Sequence, residues 1–185
     1  MNLIQTLWRG MVYALSGNTD WRTHFNLRRN GIWAAYAAMI AGAVFYGVMA
    51  YAFQVNSGAA SQTGPALAAI FLSVYVFSFA LYAYGAVFFL NRIDDFRPWL
   101  IVRSFIAASL TAIMAIVFGL FLIGILPFQI SYWAALCLFI AQLLVDIRLA
   151  QTVLDQDWIP SIFIGIGVHV TALILLLGAL ASVAY

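Results

Sequence analysis

Lysine and glutamate are absent from this 185-residue chain, whose few charges are eight arginines and six aspartates. Charged residues amount to 8% and hydrophobic ones to 66%, with a mean hydropathy of +1.03; an ordinary soluble domain has about 25% and 45–50%. So little charge excludes a soluble globular protein and a disordered one alike. A single cysteine, Cys137, excludes a disulfide within the chain. Eight arginines scattered beside apolar runs form no phosphate-tracking surface, so no nucleic-acid partner is expected. What remains is an all-α, polytopic integral membrane protein with the bilayer as its first partner.

The charge gaps locate the spans, since one helix needs about 20 apolar residues to cross a bilayer. The 62 uncharged residues between Arg29 and Arg92 hold two crossings, divided by the polar, small-residue stretch Asn56–Gly64. The 42 residues between Arg103 and Asp146 hold two more, with a turn at Leu126-Pro127-Phe128-Gln129, and the 28 residues after Asp157 hold one. The expected spans are 31–53, 65–90, 98–125, 131–149 and 159–184. Every arginine falls at or near the same side of these five, and arginine in short loops is retained in the cytoplasm. The N-terminus is therefore expected inside and the C-terminus outside. A bacterial cytoplasmic (inner) membrane suits the Arg/Asp-only usage. Arg103, just inside the third span, is expected to snorkel back to the headgroups, and Trp33, Trp99, Trp133 and Trp158 to anchor the boundaries.

Residues 1–30 form a cytoplasmic interfacial segment. Leu3, Ile4, Leu7, Trp8, Met11, Val12 and Leu15 recur at helical spacing among polar residues, which predicts an amphipathic helix too short to span. Ala34, Ala38 and Gly42 in the first span, and Ala108, Ala112, Ala115 and Gly119 in the third, would let helices approach closely.

Chemistry is sparse. His169 is the main candidate, because an ionisable group about 16 Å into a span is costly and marks a ligand or proton pathway. Gln142, Tyr82 and Cys137 come out at similar depths and complete the candidate pathway, with no acidic group near His169. The plainer reading of His169 is a neutral imidazole hydrogen-bonded to a neighbouring helix. Gly165 and Gly167 mark a local weakening of its helix. Neither a haem nor a closed zinc site can be assembled from His24, His169 and Cys137, so no metal and no cofactor is expected.

The cytoplasmic acidic pairs Asp94–Asp95 and Asp155–Asp157 could hold Mg²⁺ for a diphosphate substrate. In residue type they resemble the Asp-rich loops of intramembrane prenyltransferases, but they depart in spacing, and five spans are too few for that fold. Their plainer role is to balance neighbouring arginines, as Asp146 would balance Arg148. The preferred functional expectation is a small non-catalytic protein acting by association, as an accessory subunit of a membrane complex or a homo-oligomer. A channel or carrier for a small or lipidic molecule around His169 comes second, and a lipid-modifying enzyme using the Asp pairs third.

Overall fold

The structure, a computed structural model, describes residues 3–57 and 65–183, and every regular element among them is helical. A short helix α1 (Leu3–Ser16) leads through a 3₁₀ turn (Thr19–His24) into α2 (Arg29–Ser57); α3 (Pro65–Phe89), α4 (Phe96–Leu122), α5 (Phe128–Leu154) and α6 (Trp158–Val183) follow. The connection expected over Asn56–Gly64 falls largely on residues 58–64, outside the described residues, as does the end of the last span. Four helices, over Asn30–Ser57, Ile93–Leu122, Phe128–Leu154 and Trp158–Leu175, are long and apolar enough to cross a membrane. The chain is thus an all-helical protein compatible with a place in the bilayer.

Helix α4 runs through the middle of the bundle, against α2, α5 and α3, while α6 packs between α3 and α5. Its buried face includes Trp99, Ile101, Arg103, Ser104, Thr111, Met114 and Phe118. Packing is densest at the end of the bundle where α1 docks, around Trp99, Phe79, Leu149 and Val153. Toward the other end Ala52, Met114 and Phe118 form a smaller buried cluster among the described residues.

Three expectations about surfaces need correction. On α2 the buried stripe is Ala35, Met39 and Ala43, one residue along from Ala34 and Ala38, with Gly42 buried beside it. Trp99 is fully buried, because it stands on the α4 face that meets α3, and only Trp33, Trp133 and Trp158 lie exposed as anchors would. The third concerns α1, which does form a helix, but with Leu7, Met11 and Ala14 packed on the core. Among the residues of α1 whose side chains are described, Ile4, Trp8 and Val12 form an exposed apolar stripe.

The docking of α1 has a specific cause. Arg148 on α5 donates from Nε to the Leu15 carbonyl (2.8 Å) and from Nη2 to the Ser16 carbonyl (3.1 Å), satisfying the carbonyls that the end of a helix leaves unpaired. Gly17 then turns the chain at φ +82°, and a Cβ there would meet Arg148 Nη2 at 2.7 Å. Arg148 is thus committed to α1, so Asp146 is not its partner.

Candidate functional site

Asp146 is fully buried, and its carboxylate faces α4 and α6. From α4, Arg103 reaches it with a two-pronged grip, Nε to Oδ1 at 2.9 Å and Nη2 to Oδ2 at 3.2 Å. The planar guanidinium suits that fork, and its carbon lies 4.1 Å from the ring centre of Phe79 on α3. From α6, His169 Nε2 comes within 3.3 Å of Asp146 Oδ2 without the alignment of a full hydrogen bond, and it has no other partner among the described residues. Arg103 does not snorkel: it is 7% exposed, because a carboxylate within reach outweighs the headgroups. The expectation that no acid lies near His169 also fails, since counting depth from helix ends overlooks that Asp146, eight residues before the end of α5, points inward.

Tyr82 joins the same layer from α3. Its hydroxyl packs on the backbone of α6 at Gly167, two residues before His169, and its ring lies edge-on to Trp99, 6.5 Å between centres. A Cβ at Gly165 would come within 2.5 Å of Ile147 Cγ1 and 3.0 Å of the Ile147 backbone nitrogen. These glycines therefore do not weaken α6, which runs unbroken. They let it approach α5 and α3 closely enough for His169 to meet Asp146. Four helices thus contribute Tyr82, Arg103, Asp146 and His169 to one buried layer. The indole Nε1 of Trp99, one turn from Arg103, is a buried donor without a partner among the described residues.

Gln142 belongs to a neighbouring feature. Between α2, α4 and α5 lies a groove of about 200 Å³, lined by Tyr46, Met49, Met114, Ala135, Phe139 and Gln142 among others. At ~3.6 residues per turn, Tyr132, Ala135, Phe139, Gln142 and Asp146 fall on one stripe of α5. Phe139 also packs edge-on against the His169 ring, with centres 5.1 Å apart. The groove and the ion cluster are therefore contiguous along α5. Cys137 is not part of either: nine residues from Asp146, it lies on the opposite face of α5 and is exposed rather than buried.

The acidic pairs sit apart, at the end of the bundle where α1 docks. Arg92 lies between them, 3.6 Å from Asp95 and 3.5 Å from Asp155, and Asp95 also meets Arg22 at 3.7 Å. Asp94 and Asp157 are exposed, and no cluster of three metal-ligating side chains occurs among the described residues. Those contacts pin the α3–α4 connection to the α5–α6 connection. Compared with known proteins, the chain matches no family model, no curated protein and no solved structure.

Proposed function

We propose that this is a five-span protein of a bacterial cytoplasmic membrane, N-terminus inside and C-terminus outside, that binds a small or lipidic molecule within the bilayer, as a carrier does. The fifth span is α3, whose 25 residues extend about 37 Å at ~1.5 Å per residue. The orientation is supported by the arginine-bearing contacts of Arg22, Arg92 and Arg148, which lie at the same end of the bundle. One observation carries the binding reading: an apolar groove and a buried, hydrogen-bonded ion pair with its histidine share one stripe of α5. An ionisable cluster placed inside a membrane protein is costly and characteristic of ligand or ion pathways, and small-molecule sites are apolar clefts with a few converging polar groups.

The test is to fill the groove. Ala135→Trp is expected to yield folded protein that no longer retains a lipid or small molecule enriched over the bulk membrane, as measured by mass spectrometry of extracts of the purified protein. Identical extracts from the variant and the parent would overturn the reading.

A second reading, association with another membrane protein or a second copy, is favoured by the exposed stripe Ile4, Trp8 and Val12, with Ile4 73% exposed. Replacing all three by Gln should abolish co-purification of the partner while leaving the bundle intact. A partner retained by the triple variant would remove α1 as the contact surface.

A further inference from the structure

We propose that the molecule taken up by the groove is an uncharged lipid, an apolar chain bearing a hydroxyl or carbonyl oxygen, and that Gln142 holds that oxygen. The inference rests on the binding reading above and deepens it by naming the ligand class and the residue that selects it. Every side chain lining the groove is uncharged, and Gln142 is the one carboxamide among aromatic, thioether and aliphatic groups. The volume of about 200 Å³ is less than the roughly 300–1,000 Å³ of a pocket that encloses a drug-sized ligand. The groove therefore takes part of a longer molecule. Phe53, Tyr132, Leu136 and Phe139 in its lining are exposed, so it opens on the outer surface of the bundle, where a chain enters from the hydrocarbon of the bilayer.

Depth decides the head. Phe53 and Tyr132, whose ring centres are 6.4 Å apart, mark one end of the groove, near the end of α2 and the start of α5. Gln142 lies ten residues further along α5, about 15 Å at ~1.5 Å per residue. A charged head brought to that level would lose its water and meet no opposite charge in the lining, which is a heavy penalty in so apolar a medium. The ion pair one turn beyond Gln142 offers no compensation, because Arg103 and Asp146 are buried and already engaged with each other through paired hydrogen bonds. An uncharged oxygen loses only its hydrogen bonds to water, and one amide replaces them. The Gln142 amide is placed to do so, being partly exposed and without a hydrogen-bond partner among the described residues. Its Nε2 donates to a carbonyl or hydroxyl oxygen, and its Oε1 accepts from a hydroxyl. A plain hydrocarbon would leave both atoms unpaired, the costly case in an apolar setting. The lining thus favours an oxygen over none and a neutral head over a charged one.

The experiment uses the full chain in nanodiscs of zwitterionic phosphatidylcholine and chain-matched photoreactive probes: a hexadecanol, a hexadecyl methyl ketone, a hexadecane, a hexadecyl sulfonate and a hexadecyl trimethylammonium. Labelling of Met49, Met114 and Ala135 in the groove is mapped by mass spectrometry. It is divided by labelling of Cys137 and Leu144, exposed on the opposite face of α5, which corrects for how each probe partitions into the bilayer. The ratio for the alcohol, the ketone or both is expected to exceed that of the alkane and of either charged probe about fivefold, as one hydrogen bond would give. In Gln142→Leu it should fall to the ratio of the alkane, which itself stays unchanged. An alkane or a charged probe that matches both oxygen probes overturns the uncharged-oxygen class while leaving the groove as a binding site, and an oxygen probe whose enrichment survives Gln142→Leu overturns the role of that residue. Labelling of the groove no stronger than that of the opposite face, for every probe, overturns the binding reading and this inference with it. The comparison among probes on the parent protein stands even if Gln142→Leu folds poorly.

Discussion

Arg103 and Asp146, on different helices, form a buried two-pronged ion pair with N···O distances of 2.9 and 3.2 Å, and Asp146 is fully screened from solvent. Removing one partner of such a pair strands the other, whereas removing both leaves packing to compensate. Asp146→Ala and Arg103→Ala are each expected to cost about 3–5 kcal/mol. The double variant Arg103→Met/Asp146→Leu should cost far less than the two together. Reversible unfolding in mixed micelles measures this, and strictly additive losses would show that the two side chains do not act as a pair.

That pair is half-visible in the sequence. The 42-residue uncharged gap between Arg103 and Asp146 implies the helical hairpin that brings them to similar depth, yet each reads on its own as a headgroup residue. Depth follows from counting residues; which way a side chain points depends on helix rotation, which the near-uniform hydrophobicity of these helices does not encode. The same ambiguity puts Cys137 among the buried candidates and places the small-residue stripe of α2 one residue early. His169 stands out because an imidazole in a long apolar run is conspicuous whatever its rotation, whereas Tyr82 is one of several tyrosines and serines on its span and is reached only by counting depth. The signal that could have found Asp146 is its position at i+4 from Gln142, two polar residues stacked on one face of an otherwise apolar helix.

The contact between Gly167 and Tyr82 sets how closely α6 lies on α3. A methyl group at Gly167 would be driven into the Tyr82 hydroxyl. Gly167→Ala should therefore destabilise the bundle by about 1–3 kcal/mol, the usual cost of overpacking. The ring carbons Cζ and Cε2 of Tyr82 would lie 2.7 and 2.8 Å from that methyl as well, so Tyr82→Leu, which removes hydroxyl and ring together, should restore at least half of the thermal stability that Gly167→Ala loses. If it restores none, the clash lies elsewhere.

Arg148 holds α1 through two carbonyls at its end, Leu15 and Ser16. Hydrogen bonds to a charged donor contribute about 1.5–3 kcal/mol each at most. Arg148→Ala is expected to release α1 without unfolding the rest. Hydrogen exchange should show faster exchange over residues 3–16 and unchanged protection in α4. Unchanged exchange in α1 would mean that Leu7, Met11 and Ala14 hold it by packing alone.

Cys137 tests the rotation of α5 directly. It lies 17 residues before the end of α5, about 26 Å at ~1.5 Å per residue, and it is exposed on the face opposite Asp146. In the span proposed for α5, which is long and apolar enough to cross a membrane, a thiol so placed meets hydrocarbon rather than water. A hydrophobic photoreactive carbene probe dissolved in the bilayer, which inserts without needing a thiolate, should therefore label the Cys137 side chain in native membranes, while a charged, membrane-impermeant maleimide should not modify it. The comparison is Leu149→Cys in a Cys137→Ala background, since Leu149 is fully buried in the core. The thiol introduced there should resist both reagents until the protein is unfolded. Its modification at a rate equal to that of Cys137 in the parent would mean that α5 is rotated from the orientation that turns Asp146 toward Arg103 and His169.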